Sequence, residues 1–229
     1  MKLLMLTSLV ICTSNAMEPY PLKLKQVWKK EAIEQTLNSG QNPEILCDKK
    51  GKTLAHHAAC KDRDGSLITF LCTNYPTLIE RKDNDGHTPL HFAAFHGYYR
   101  GVDTLLSMGA NPNAANYRGK TPLHKVVQLG STPTEFLQHI KVIINLLINA
   151  HANVNQQDHV GNTFLHDAAI RSSETLYNEL EKFPVNKKQL NNYRYTAIHL
   201  LAIGESQHRA DHFLQSMQKK VPATTSTSV

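Results

Sequence analysis

Thirteen histidines stand out in this 229-residue chain, beside glycine, lysine and threonine runs that could handle a metal ion or a phosphate. His87 and His91 are one helical turn apart, and His56 and His57 are neighbours. Imidazoles on one helix face can hold zinc, but such a site needs three or four ligands. No His-Glu-x-x-His and no Cys/His quartet supplies them. Cys47, Cys60 and Cys72 fit no zinc spacing and are read as buried or half-buried thiols on helices. Gly51-Lys52-Thr53 and Gly119-Lys120-Thr121 match the end of a phosphate-binding loop. That loop requires another glycine five residues earlier, where Leu46 and Ala114 stand. Neither a metal nor a cofactor is therefore expected, and no catalytic residues are assigned.

The elements that position these residues recur. Thr53, Thr88, Thr121, Thr163 and Thr196 are separated by 35, 33, 42 and 33 residues. Three residues after each comes His56, His91, His124, His166 or His199. Five residues before each comes Asp48, Asp83, Asn116, Asp158 or Asn191, and two before comes Gly51, Gly86, Gly119, Gly161 or Arg194. Asp or Asn opens a tight turn, and glycine supplies the positive φ it needs. Threonine caps the helix that follows, and proline at the first helical position sacrifices no hydrogen bond. The histidine can bond back to the threonine and toward the next repeat. Small pairs such as Ala58-Ala59 and Ala93-Ala94 let one helix lie close to the next. A second helix follows in each unit, with Leu105-Leu106, Ile143-Ile144 or Leu176 and Leu180 facing inward.

Five copies in register resemble the ankyrin repeat, best seen in Thr88-Pro89-Leu90-His91 with Gly109 closing the second helix. The resemblance implies an all-α solenoid of stacked helix-turn-helix units with short β-hairpin-like turns. The repeats are placed at 48–82, 83–115, 116–157, 158–190 and 191–218. Residues 17–47 read as a helical N-terminal cap, a degenerate repeat with Trp28, Ile33 and Leu37 inward, and 219–229 as a disordered tail. The third repeat carries nine extra residues, 131–139. Thr132-Pro133-Thr134-Glu135 reads there as a capping box, which predicts a second helix about two turns longer on the convex side. Arg194 in place of a turn glycine predicts a distorted last hairpin. His151 in place of the helix-closing glycine leaves that turn open to question, and the fourth repeat has Pro184 without a clear terminator.

Residues 1–16 read as a signal peptide. Met1-Lys2 begins a short positive region, Leu3 to Cys12 is apolar, and Ser14-Asn15-Ala16 invites cleavage before Met17. The expectation is export, secreted or periplasmic, with no membrane span in the mature chain. The net charge of +6 leans toward acidic partners, yet the basic residues are spread rather than gathered on one element, so nucleic acid is not expected.

What the resemblance implies about function is protein–protein recognition by a monomer, on a concave face of turn tips and inner helices. Carried residue by residue, that face comprises Lys49, Lys50 and Lys52; Asn84, Asp85 and His87; Phe95 and His96; Tyr117, Arg118 and Lys120; His159 and Asn162; Arg171; and Tyr193 and Tyr195. The set is basic and aromatic, which fits an acidic or mixed protein surface. A secreted effector is one reading, a periplasmic inhibitor or immunity-type protein another, and a cryptic enzyme a third.

Overall fold

The computed structural model describes residues 47–204, apart from 63, 130–133 and 172–173. The signal segment, most of the N-terminal cap, the tail and the second half of the fifth repeat lie outside the described residues. So do Thr132 and Pro133 of the expected capping box.

Helices come in pairs. The inner helices are α1 (Leu54–Lys61), α3 (Pro89–His96), α5 (Pro122–Val126, prolonged by a 3₁₀ turn, Val127–Leu129) and α7 (Phe164–Ile170). Their outer partners are α2 (Ser66–Asn74), α4 (Tyr99–Ser107), α6 (Thr134–Asn149) and α8 (Glu174–Leu180). A further inner helix, α9, occupies 197–204. Inner helices stack in the order α1, α3, α5, α7, while α2, α4 and α6 line up behind them. Among the described residues there is no strand, only an isolated bridge between Cys47 and Thr53. Cys60 and Cys72 are thiols on α1 and α2, as expected. Cys47 instead precedes α1 and is disulfide-bonded rather than a thiol.

The inner helices begin where threonine leaves the extended region. Thr88 has φ −90 and ψ 167, with Pro89 at the first helical position. Leu90, Leu123 and Leu165 then enter the core with Ala93, Ala94, Ala168 and Ala169, all at most 2% exposed. Burying each such leucine contributes about 1.5–3 kcal/mol. The alanines let neighbouring layers approach, so the core is one continuous cluster from Leu54 to Leu201.

Two departures from the repeat leave no mark on the backbone. The N–H of His151 donates to Ile148 O at 2.9 Å and that of Ala152 to Leu147 O at 2.9 Å. Gly109 and Ala110 make the same pair of bonds to Leu106 and Leu105. His151 simply adopts the left-handed conformation itself, at φ 65. Arg194 does likewise at φ 64, and its N–H reaches Asn191 O at 2.9 Å as every other tip does. The last hairpin is therefore not distorted, contrary to expectation.

The insertion lengthens the second helix of the third repeat. α6 has 16 residues against 9 in α4, close to two extra turns. Ile140, Ile143, Ile144 and Leu147 bury its inner face, and the His139 ring lies 5.7 Å from that of Tyr99 on α4.

Candidate binding face

Each tip is built by one side chain. Asp83 Oδ1 accepts the N–H groups of Asp85 at 3.0 Å and His87 at 2.8 Å. Asp48, Asn116, Asp158 and Asn191 repeat the arrangement at 2.8–3.0 Å. The tips are also laced to one another. The N–H of Asn84 donates to Lys50 O, Tyr117 to Asp85 O, His159 to Arg118 O and Asn192 to Val160 O, at 2.9–3.1 Å.

That lacing explains the glycines. A Cβ on Gly86 would lie 2.7 Å from the backbone nitrogen of Tyr117. The position therefore demands both a positive φ, 81 here, and an absent side chain. Arg194 escapes the second demand, because no tip follows it among the described residues.

The repeat histidines form a second set of ties. His91 Nδ1 accepts the Thr88 N–H at 3.1 Å, so the proton sits on Nε2, which donates to Lys120 O at 3.0 Å. His56, His124 and His166 do the same toward His87, Asn162 and Tyr195 O at 2.9–3.1 Å. Burial pushes the His56 imidazole down to about 4 and that of His91 to about 3, and lowers those of His124 and His166. These rings are neutral joints between layers and are spent on the fold.

Eleven of the sixteen face residues stand exposed: Lys49, Lys50, Asn84, Asp85, Phe95, Tyr117, Arg118, His159, Arg171, Tyr193 and Tyr195. Tyr117 and Tyr193 are 63% and 68% exposed. The remaining five are drawn into the structure. Lys52 lays its ammonium 4.2 Å from the centroid of Phe92, a cation–π contact. His96 is half-buried, stacked on Tyr98. His87 is half-buried and its Nε2 accepts from Asn116 Nδ2 at 2.9 Å. Lys120 reaches Asp167 at 2.5 Å and Asp158 at 3.3 Å. Asn162 is corrected outright. It is buried, accepts from Asn191 Nδ2 at 2.9 Å and is a structural residue rather than a contact.

Asp83, Asp85 and His87 bring three possible metal-ligand atoms within 4.8 Å of one another. Asp83 Oδ1 already closes the turn and His87 Nε2 is already bonded, so the cluster belongs to the tip.

A groove of about 510 Å³ opens between the third and fourth repeats, walled by Tyr117, Arg118, His159, Val160, Ile170 and Arg171. Beside it a smaller hollow of about 260 Å³ lies among His87, Phe92, Phe95 and Lys125, and Gln128 lines both. The role of Asp167 was not legible in the sequence. It lies 47 residues from Lys120, and other repeats place His57, Phe92 or Lys125 after the histidine.

Comparison with known proteins agrees with this geometry. A family model described as ankyrin repeats matches residues 26–116 in three copies, and a single ankyrin repeat matches 118–159. The hydrogen-bond pattern continues past that span, through Tyr195. Over 132 residues, 51% of this chain, it is 28% identical to the "Transient receptor potential cation channel subfamily A member 1 homolog" of Caenorhabditis elegans, covering 11% of that protein. It is 29% identical to "Alpha-latrotoxin-Lg1a" of Latrodectus geometricus over 63% of this chain and 10% of the toxin. It is 31% identical to the "Target of rapamycin complex 2 subunit AVO2" of Saccharomyces cerevisiae over 38% of this chain and 20% of that subunit. The chain thus spans a fifth or less of the length of each of these relatives.

Proposed function

The chain belongs to the ankyrin-repeat family, whose repeats are protein-interaction modules, and from that premise we propose that it is an exported protein that captures a partner protein on its tip face. The observation that carries this reading is a row of tyrosine side chains that the fold leaves exposed. Tyr117, Tyr193 and Tyr195 are 63%, 68% and 43% exposed, beside an Arg118 with no ion pair among the described residues. Tyrosine and arginine carry much of the binding energy at interfaces. A solenoid held by buried joints can leave such residues for a partner. The protein acts by binding rather than catalysis, as a monomer, on an acidic or mixed surface. Among the described residues no helix is long and apolar enough to cross a membrane.

Export rests on the signal-like first 16 residues. An exported binding protein of this kind suits a secreted effector directed at a host protein. Two measurements test the reading. N-terminal sequencing of the protein recovered outside the cytoplasm should begin at Met17. Affinity capture with the mature chain should yield a main partner that the Tyr117→Ala, Arg118→Ala double variant loses while keeping its fold. Capture indifferent to that variant and to Tyr193→Ala, Tyr195→Ala moves binding off this face.

A further inference from the structure

The groove between the third and fourth repeats has an electrostatic division of labour. Its floor holds Lys120 with Asp158 and Asp167, the lysine side chain 19% exposed and the two acids 2% and 8%. These acids point at Lys120, so the lysine is not offered to a ligand. Arg118 and Arg171 on the walls are both exposed, and neither has an ion pair among the described residues. Three cations against two acids leave the groove with one surplus positive charge, held at its rim. Apolar surface lines the same groove: Tyr117, Val160 and Ile170 are 63%, 40% and 52% exposed. A guanidinium is weakly hydrated and binds carboxylates through two parallel N–H bonds. Exposed apolar side chains in a concave site are sequestered by an apolar group of the ligand.

We propose that this groove receives an extended segment of the partner in which carboxylates meet Arg118 and Arg171 and a neighbouring aliphatic or aromatic side chain covers Tyr117, Val160 and Ile170. This rests on the binding reading above and specifies its chemistry. A nucleic-acid strand fits less well. The surplus charge is small, Asp158 and Asp167 lie beneath, and Asp85 is exposed on the neighbouring tip, all of which repel a polyanion.

The test uses a displayed library of random linear peptides panned on the full chain. Enriched peptides should combine Asp or Glu with Leu, Ile, Phe, Tyr or Trp. By fluorescence anisotropy, replacing their acids with Asn or Gln should weaken binding at least about tenfold, equivalent to about 1.4 kcal/mol. The Arg118→Ala, Arg171→Ala variant should lose a similar factor with unchanged thermal melting. Enrichment without acids, equal binding of the amide peptides, or binding that survives the arginine variant overturns the proposal. So does tighter binding of an oligothymidine control that the same variant abolishes. If the Tyr117, Arg118 variant loses the captured partner while acidic peptides fail, the groove chemistry falls and the tip-face reading stands. If capture ignores every tip variant, the tip-face reading falls with it.

Discussion

His91 Nε2 lies 3.0 Å from the carbonyl oxygen of Lys120, and through that bond one imidazole joins the second repeat to the third. The same ring accepts the Thr88 N–H and so fixes the start of its own helix. His91→Ala leaves the buried Thr88 N–H without a partner, at about 1–3 kcal/mol, and removes one of the two hydrogen bonds the Lys120 carbonyl accepts, the other coming from the Asn116 N–H. Urea unfolding of this variant should show a loss of about 2–4 kcal/mol. A midpoint equal to that of the parent protein would mean the joint contributes little.

The same rings set a pH dependence. Four histidines are held below their usual 6.5 by burial, His91 at about 3 and His56 at about 4. A base whose folded pKa is depressed binds fewer protons folded than unfolded. Its stability is complete above pH 6.5 and falls as acid protonates the unfolded chain, down toward the folded pKa. Each ring can contribute a slope of up to about 1.4 kcal/mol per pH unit. The melting temperature should be level from pH 8 to 7 and drop steeply between pH 6 and 4. A level melting curve to pH 5 would contradict neutral, buried rings.

Gly86 and Arg194 occupy the same turn position with opposite freedom. Gly86→Ala must resolve a 2.7 Å approach to the Tyr117 nitrogen and an unfavourable φ, and should destabilise by about 2–3 kcal/mol. Arg194→Gly removes a left-handed strain at a tip on which no other tip packs among the described residues, and should be neutral or stabilise by up to about 1 kcal/mol. Thermal denaturation of the two variants checks the pair. Equal and opposite behaviour would remove tip lacing as the reason for glycine.

Lys120 is a structural cation. Lys120→Met leaves Asp167 and the Oδ2 of Asp158 without their cation at the base of the groove, although Asp158 Oδ1 keeps its two turn N–H groups, and removing one member of a buried pair costs about 3–5 kcal/mol. We expect denaturant unfolding to show a loss of at least about 2 kcal/mol, since the lysine keeps some solvent contact. A variant that melts with the parent protein but binds its partner weakly would return Lys120 to the contact surface.

Much of this was legible in the sequence because it is local and repeated. The Asp48, Asp83, Asn116, Asp158 and Asn191 turns, the threonine starts and the histidine three residues on are fixed by neighbours within five residues. The lengthened α6 was legible too, since Ile140, Ile143 and Ile144 keep helical spacing. Where the reading failed, the cause lay between repeats. Asn162 was placed on the face because tip position alone does not reveal the Asn191 amide 2.9 Å away. Lys120 looked free because its acids come from the following repeat. Arg194 looked disruptive because glycine at a tip was attributed to φ alone. The close approach of the next tip, which Arg194 does not meet among the described residues, is the other half of the reason.

The stacking of the layers rests on the repeat histidines being neutral joints between them. Nitrogen-15 NMR of the imidazoles, followed from pH 7.5 to 5, tests it most directly. His56, His91, His124 and His166 should appear as the Nε2–H form with slowly exchanging ring protons, His56 and His91 not titrating across that range and His124 and His166 titrating below the usual 6.5. Rings that exchange freely and titrate near pH 6.5 would contradict it, and with it the inter-layer bonding on which the proposed binding face rests.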